Sequence, residues 1–342
     1  MPASDDPRLD ALLHPFREGA LAHAEDTLFL NARAGDLPPV ASHWCCVQAF
    51  KPWALRLQAA GLASTPGIPP GPFSRVLLPL PPQRDLARAW MVRGLRQLAP
   101  GGILVASQAN EAGARSAQAD LARLVSGLQA ASKHHCRVLW TGVDSQRVDT
   151  ALEEAWLAAA APRFVPGTHW WAQPGVFARD RIDAGSALLA AQLPADLRGS
   201  AADLGAGWGY LSAVLLQRCP GITSVDLFEA DAHALALAQR NLDPAATGRA
   251  LRFHWHDVAS GVPAGFEVVV SNPPFHAGGE EDRELGLAFI RAAAAALRPG
   301  GCFWLVANRH LPYEAALQAG FASVREVARQ GGFKVLEART AA

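Results

Sequence analysis

This chain of 342 residues has no net charge, and it contains little lysine. The 31 basic and 31 acidic residues cancel, so no overall field marks the chain as a nucleic-acid-binding protein. Any affinity for RNA therefore has to come from a local patch. Only Lys51, Lys133 and Lys334 are lysines, which fits codon usage in a GC-rich genome or, as the alternative, a preference for arginine at phosphate contacts.

Membrane and metal signals are also missing. No apolar stretch reaches the roughly 18 residues of a membrane span, and residues 1–13 lack the apolar segment of a signal peptide. No cysteine pair has Cys-x-x-Cys spacing, and none is spaced from histidine as in a zinc site. We expect a cytoplasmic protein with no membrane contact and no metal. The five cysteines are Cys45, Cys46, Cys136, Cys219 and Cys302.

The second half alternates strand-like and helix-like segments. Half of the chain is hydrophobic, which is enough for two domains of about 150–170 residues. The alternation predicts an α/β, Rossmann-like, doubly wound sheet, and Gly331-Gly332 predicts a C-terminal antiparallel hairpin. Strands are predicted at 201–205, 224–229, 251–255, 266–271 and 302–307, helices at 210–218, 232–242 and 283–297, and the hairpin arms at 323–330 and 333–340.

Part of the first half repeats the second. Residues 76–82 resemble residues 268–274 at an offset of 192, and Leu-x-Pro-Gly-Gly recurs at 98–102 and 297–301 at an offset of 199. We interpret this as an internal duplication, with chance similarity as the alternative.

The repeat lacks the residues that would carry chemistry. Leu80 aligns with Asn272, and no Gly-x-Gly-x-Gly precedes residue 150. We predict a degenerate domain at 1–165 and a catalytic domain at 166–342, with the border between Ala160 and Gly175.

A glycine-rich loop follows the first strand of the second half. Asp203 precedes Gly205-Ala206-Gly207-Trp208-Gly209, and such a loop lets backbone N–H groups approach a ligand at the strand end. A dinucleotide site has different spacing and binds a pyrophosphate, which a carboxylate would repel. Asp203, Gly205, Ala206 and Gly207 are therefore predicted to bind S-adenosylmethionine, whose sulfonium and ammonium groups attract a carboxylate.

The next two strands end in acids. Glu229, with Ala230 beside it, can accept hydrogen bonds from both ribose hydroxyls of the cofactor. Asp257 can accept from the adenine amine, and the Val258 N–H can donate to the ring. The alternatives are a solvated carboxylate for Glu229 and a helix-opening residue for Asp257.

Asn272-Pro273-Pro274-Phe275 is the most specific motif. The prolines fix the backbone, so the Asn272 side-chain oxygen and the Pro273 carbonyl can accept from one NH₂ group. Those bonds aim the nitrogen lone pair at a methyl group, and Phe275 offers a face for stacking a base. We predict transfer of a methyl group to a planar, amide-like nitrogen. A rigid turn is the alternative.

Residues 174–339 resemble the small-subunit ribosomal RNA guanine-N2 methyltransferases of the RsmC type, with the large-subunit RlmG type close behind. The resemblance implies two tandem class I methyltransferase-like domains, the first degenerate, with ribosomal RNA or a ribosomal subunit as partner. It gives Asn272 and Phe275 the base pocket and residues 183–186 the cofactor site. Trp208 departs from the small residue of many relatives. The matching stretches are 174–179, Asp183 with Gly185-Ser186, the glycine loop, 271–276, 306–308 with 311–313, and 332–335.

Other functions stay open at this point. One is an Asn-Pro-Pro methyltransferase acting on protein glutamine or adenine N6, although Phe275 and the repeat argue against it. Another is a non-catalytic RNA-binding assembly factor. Secondary candidates are His276 for substrate contact, Trp170-Trp171 for stacking or packing, and Arg84, Arg88 and Arg96 for RNA docking or a solvated face.

Overall fold

The computed structural model describes residues 6–142, 144, 146–243, 248–274 and 280–342. Its contacts group the chain into two compact units. The N-terminal unit contains residues up to Pro162 together with Gln173–Gly175, and the C-terminal unit contains Arg163–Ala172 and Val176–Ala342.

The C-terminal unit is built on a seven-stranded sheet in the order β12-β11-β10-β13-β14-β16-β15. Strands β10 to β14 are mutually parallel, and β16 joins β14 antiparallel. The predicted hairpin is therefore part of the sheet. Its strands are β10 (Arg198–Leu204), β11 (Gly221–Glu229), β12 (Ala250–Trp255), β13 (Phe266–Ser271), β14 (Leu297–Asn308), β15 (Ser323–Gln330) and β16 (Phe333–Arg339).

Apolar residues of the central strands alternate between two cores, one on each face of this sheet. Val268, Val270 and Trp304 belong to one core, whereas Val269 and Phe303 belong to the other. Helices cover both faces, as the βαβ alternation predicts. The helices are α6 (Ala184–Gln192), α7 (Tyr210–Arg218), α8 (Ala232–Asn241), α9 (Glu280–Ala296) and α10 (Glu314–Gly320), and a short ladder pairs β8 (Arg163–Phe164) with β9 (Trp171–Ala172).

The fold class is confirmed, and one boundary differs from the prediction. Strand β14 begins at Leu297 and not at Cys302, because Leu297 already pairs with β13 and the Pro-Gly-Gly segment forms a bulge within the strand. Phe266 pairs with Leu297 and Val268 with Cys302, so the four residues 298–301 of β14 bulge opposite the single residue Glu267 of β13.

The N-terminal unit has the same sheet order, β3-β2-β1-β4-β5-β7-β6, including the antiparallel hairpin. The sequence indicated only β4 and β5 of this sheet. The other strands are short or, like β6, largely exposed and polar, so they carry no apolar alternation. The elements are β1 (Thr27–Leu30), β2 (Cys45–Val47), β3 (Ser64–Thr65), β4 (Phe73–Pro79), β5 (Leu98–Ala109), β6 (Gln129–Lys133), β7 (Cys136–Trp140), α1 (Pro7–Arg17), α2 (Lys51–Ala59), α3 (Arg84–Arg96), α4 (Ala114–Leu124) and α5 (Thr150–Ala159).

Strand pairing fixes which residues of the two copies are equivalent. Ile103 and Cys302 are 199 residues apart, the offset of the two Leu-x-Pro-Gly-Gly segments. Arg75 pairs with Ile103 and Val268 pairs with Cys302, so Arg75 and Val268 are equivalent. Strands β4 and β13 are therefore related by an offset of 193.

This register shows that the alignment of Leu80 with Asn272 was wrong by one residue. Pro79 is equivalent to Asn272, and Leu80 is equivalent to Pro273. The alignment was shifted because it matched the Pro-Pro pair of each copy at an offset of 192. The strand register gives an offset of 193, so the two Pro-Pro pairs are displaced by one residue relative to each other. The N-terminal position carries no amide side chain in either alignment.

Candidate active site

Four parallel strands of the C-terminal unit end at one edge of the sheet, where doubly wound proteins bind ligands. The carboxyl ends of β10, β11, β12 and β13 lie at Leu204, Glu229, Trp255 and Ser271. The fold thus brings the four predicted site segments to this edge.

The glycine loop after β10 has a backbone that requires glycine. Gly205 and Gly207 have φ values of +73° and +55°. A Cβ atom on Gly205 would lie 3.1 Å from the Phe289 ring, whereas nothing lies within 4 Å of the corresponding point on Gly207. The loop therefore leaves open space beside Gly207.

Asp203 lies beneath this loop and is fully buried. Its Oδ2 accepts hydrogen bonds from the Ser212 amide (3.1 Å) and hydroxyl (2.7 Å). Its Oδ1 has no partner in the described part of the chain. Burial raises the pKa of Asp203 to about 7, although the Ser212 bonds act in the opposite direction. The site thus contains a buried carboxyl group with one unused oxygen.

Glu229 links the end of β11 to the glycine loop. Its Oε2 accepts from the Gly207 amide at 2.7 Å, and its Oε1 accepts from the Asp231 amide at 2.8 Å. Burial raises its pKa. Ala230 is half-buried, and its carbonyl accepts from the Trp255 indole. Glu229 therefore orients the loop and retains lone pairs for further donors.

Asp257 and Val258 follow β12. The Asp257 side chain accepts from the Ala259 amide at 3.0 Å and caps the single 3₁₀ turn Val258–Ser260. Val258 is buried in the core. This is the helix-opening geometry given above as the alternative, and contact with adenine stays a prediction.

An open cleft lies over the glycine loop. Gly205, Ala206, Gly207 and Asn272, four of the predicted site residues, line it, whereas Asp203 and Glu229 are not among its lining residues. The remaining lining residues are Phe177, Ala178, Asp183, Ser186, Trp208, Tyr210 and Leu211.

Asn272 is half-buried at the wall of the cleft, directly after β13. Its side-chain nitrogen donates to Asp183 Oδ2 (2.9 Å) and to Ser186 Oγ (2.8 Å). Pro273 is buried. Phe275 and His276 lie outside the described residues, so their predicted contacts stay predictions.

The sequence did not single out Phe177 and Ala178 as site residues. Phe177 is 61% exposed although it lines the cleft. Its carbonyl accepts from the Trp208 indole at 3.2 Å, and Ala178 has a φ of +57°, which is rare for a non-glycine residue. The available signal was the 174–179 stretch. Trp208, the departure from relatives, thus has a structural role in this loop.

The secondary candidates are held by contacts within their own unit. Trp170 packs near Trp208, and Trp171 packs against Phe164 with the Arg240 guanidinium over its ring, which confirms packing. In the N-terminal unit, three arginines face carboxylates. These pairs are Arg84 and Arg88 with Asp120, and Arg96 with Glu153 and Glu154.

Among the described residues, no three histidine, cysteine or acidic side chains cluster as metal ligands would. No helix in the described ranges is long and apolar enough to cross a bilayer.

The residues of the cleft fit S-adenosylmethionine. The loop leaves a cradle beside Gly207, and the buried Asp203 has an unused oxygen. Asp203 and Glu229 are two carboxyl groups whose pKa values burial raises, so a cationic ligand complements them.

Comparison with known proteins supports the same class. The family model described as Methyltransferase small domain matches residues 167–337. Ribosomal RNA small subunit methyltransferase C of Shewanella loihica is 31% identical over 79% of this chain and 78% of its own. The protein of that name from Pseudomonas paraeruginosa is 33% identical over 98% and 99% of the two chains.

A solved structure also resembles the whole chain. The T. thermophilus 16S rRNA N2 methyltransferase RsmC, in complex with AdoMet and guanosine, has a TM-score of 0.77 and 25% identity. The match covers 98% of this chain and 92% of that one.

The fold and the cleft define a methyltransferase that uses S-adenosylmethionine. The chain belongs to the ribosomal RNA small subunit methyltransferase C family. The predicted family, enzyme class and cofactor are confirmed.

Proposed function

We propose that the C-terminal unit transfers the methyl group of S-adenosylmethionine to the exocyclic N2 amine of a guanine in small-subunit ribosomal RNA. The observation that carries this proposal is Asn272, an amide at the wall of the cofactor cleft, directly after the strand next to the glycine loop. The names of the relatives above support the choice of RNA and of guanine.

The glycine loop and the acids hold the cofactor in this proposal. Gly205, Ala206 and Gly207, which line the cleft, would hold its methionine part, and the buried Asp203 would attract its positive charge. Glu229 would accept from the ribose hydroxyls, and Ala230, Asp257 and Val258 would contact the adenine. The cofactor supplies an electrophilic methyl group on a sulfonium, which is a good leaving group.

Asn272 and Pro273 bind the acceptor. The guanine amine is a weak nucleophile because its lone pair is delocalised into the ring. The Asn272 Oδ1 and the Pro273 carbonyl accept its two protons, which draws the nitrogen toward tetrahedral geometry and aims its lone pair at the methyl group. Phe275 stacks on the base, and the exposed Phe177 offers a second aromatic face at the cleft.

The N-terminal unit serves RNA binding or positioning and not chemistry in this proposal. We assign residues 1–165 to the degenerate domain, 166–342 to the catalytic domain, and the whole protein to the cytoplasm. Assembled small subunits and naked RNA are both possible forms of the substrate.

The test is to incubate the purified protein with methyl-labelled cofactor and, separately, with small subunits, large subunits, naked ribosomal RNA and total protein. Nucleoside analysis should find N2-methylguanosine from the small-subunit samples. Asn272→Ala should lower the rate about 10²–10³-fold, as loss of one transition-state hydrogen bond does, with cofactor binding retained. Label in protein, in large-subunit RNA or in N6-methyladenosine would overturn the assignment.

A further inference from the structure

The amide of Asn272 belongs to a closed hydrogen-bond network with the start of helix α6. Its nitrogen donates to Asp183 Oδ2 at 2.9 Å and to Ser186 Oγ at 2.8 Å. The same Asp183 oxygen accepts from the Ser186 amide at 2.8 Å and so caps the helix. Ser186 is buried, and all three residues line the cleft. Both N–H donors of the amide are thereby used.

This network determines which way the amide faces. An asparagine side chain has nearly the same shape after a 180° flip, so packing alone does not choose between its oxygen and nitrogen. An ionised carboxylate only accepts hydrogen bonds. Turning the Asn272 oxygen toward Asp183 would place two acceptors against each other and lose the bond to Asp183, whereas the Ser186 hydroxyl could donate or accept in either orientation. Asp183 therefore decides the orientation of the amide. No described residue donates to the Asn272 Oδ1 in the observed orientation.

We propose that Asp183 and Ser186 are positioning residues that hold the Asn272 carbonyl oxygen toward the acceptor amine. The proposal rests on the function proposed above. Pre-orientation matters because an acceptor that is already fixed need not reorganise during methyl transfer. Asp183 then has two roles: it caps α6, and through Asn272 it sets the geometry of the reaction.

The N-terminal unit retains the acid but not the network. Asp6 caps helix α1, which packs on β5 and β7 as α6 packs on β14 and β16. Asp6 pairs with Arg8 at 3.0 Å and with Arg33 at 3.6 Å. Proline stands at the position equivalent to Asn272. In the copy without the amide, the acid is thus engaged by arginines.

Two simpler roles for Asp183 make different predictions. A helix cap alone would affect stability and leave the rate of methyl transfer unchanged. A direct cofactor ligand would raise the cofactor Kd and act even without Asn272. A positioning residue lowers the rate of the bound complex, and its effect disappears once Asn272 is removed.

The experiment is a double-mutant cycle on the full chain with Asp183→Ser, Ser186→Ala and Asn272→Ala. Serine keeps the helix cap but withdraws the charged acceptor from Asn272. Asp149→Ser is the matched control, because Asp149 caps α5 by accepting from the residue three positions on, as Asp183 does. Calorimetry gives the cofactor Kd, and single-turnover assays with small-subunit RNA give the rate.

We expect Asp183→Ser and Ser186→Ala each to lower the single-turnover rate about 10–100-fold with Kd changed less than about threefold. The control should keep the wild-type rate. In the Asn272→Ala background, Asp183→Ser should cause no further loss. An additive loss in that background, an unchanged rate, or a loss confined to Kd would overturn the proposal. Wild-type methylation of an acceptor other than guanine N2 would refute the proposed function alone, since the variants can still be compared on that acceptor.

Discussion

The two units have one sheet order and two different binding edges. Strand register makes each residue of the catalytic edge comparable with one of the N-terminal edge, and the chemical groups are replaced at each compared position. The equivalent pairs, N-terminal residue first, are Phe29 and Asp203, Asn31 and Gly205, Arg33 and Gly207, Gln48 and Glu229, Pro79 and Asn272, and Leu80 and Pro273.

Arginines fill the N-terminal edge. Arg33 stands where Gly207 leaves open space, and its guanidinium lies 3.2 Å from the centre of the Trp53 ring. Arg8 donates to the Leu80 carbonyl at 3.3 Å, and this carbonyl is equivalent to that of Pro273. Positive charge thus occupies the edge that corresponds to the cofactor site proposed for the C-terminal unit. The two units therefore differ in the residues at the strand ends, while the order of the sheet is the same.

The replacement of Glu229 by Gln48 at the equivalent N-terminal position keeps most of the local hydrogen bonding. The Gln48 Oε1 accepts from the Phe50 amide at 2.8 Å, as Glu229 accepts from Asp231. Its amide nitrogen donates to the Ala32 carbonyl at 2.7 Å, whereas Glu229 accepts from Gly207. The support of the loop is preserved, and the charge is gone.

The largest effect should come from giving the catalytic loop the N-terminal residue. Gly207→Arg places a cation beside the sulfonium site and forces a side chain onto a backbone with φ of +55°. We expect the cofactor Kd to rise more than about 100-fold by calorimetry. Gly207→Ala is the control for backbone strain alone, since its Cβ meets open space. If the arginine variant binds no worse than the alanine variant, charge is not the cause.

Exchange of the strand-end acid should have the next largest effect. Glu229→Gln keeps the size but replaces one acceptor oxygen with a donor facing the Gly207 amide. We expect the cofactor Kd to rise about 10–100-fold, the cost of a lost charged hydrogen bond. Gln48→Glu is the matched reverse variant in the N-terminal unit. It should still bind one cofactor per chain, with an unchanged Kd. Binding of a second cofactor by that variant would show that a single substitution enables the N-terminal edge to bind the cofactor.

The sequence predicted much of the fold, and the comparison shows why it missed the rest. Strands such as β13 were predictable because Val268, Val269 and Val270 form a continuous buried run. In the N-terminal unit, β3 has two residues and β6 is mostly exposed, so neither shows the alternation of apolar and polar residues that identifies a strand in a sequence. The shared sheet order became visible only from strand pairing.

The candidate site also has a part that the sequence predicts and a part that it does not. The glycine loop and Asn272 were predictable because their chemistry is contained in one short motif each. The bond between Asn272 and Asp183 joins residues 89 positions apart, and no local pattern encodes it. The one-residue shift from Leu80 to Pro79 was hidden because matching prolines outweighed strand register.

Cofactor binding should depend on pH because Asp203 can ionise. The equivalent residue of the N-terminal unit, Phe29, cannot. Burial raises the Asp203 pKa to about 7, so lowering the pH protonates it and removes its attraction for the cation. We expect the Kd to rise about 20-fold between pH 7.5 and pH 5.5, following the ionised fraction. Asp203→Asn should bind more weakly at pH 7.5 and show a much flatter profile. An equally steep profile in the variant would assign the titration to another group, such as Glu229.

The same pKa shift makes a prediction for stability. The folded-state pKa of Asp203 lies above its unfolded value, so its contribution to stability is fully present below about pH 4 and is lost as the pH rises through about 7. Thermal unfolding of the cofactor-free protein should therefore show Asp203→Asn gaining stability relative to wild type as the pH increases from 5 to 8. A constant difference over this range would contradict the assigned pKa.

The smallest effect is expected on helix α3 of the N-terminal unit. Arg84 is 56% exposed, but it pairs with Asp120 at 2.8 Å, and Arg88 binds the same carboxylate at 2.9 Å. Burial acts to raise the Asp120 pKa, yet hydrogen bonds from both arginines outweigh it and hold the pKa below its usual value. Because the Arg84 charge is already partnered, Arg84→Ala should change RNA affinity less than about twofold and leave the melting temperature nearly unchanged. The slope of log affinity against log salt should match that of wild type. A shallower slope with a several-fold loss of affinity would instead make this helix an RNA-docking face, and the N-terminal unit would then have exchanged catalysis for substrate binding.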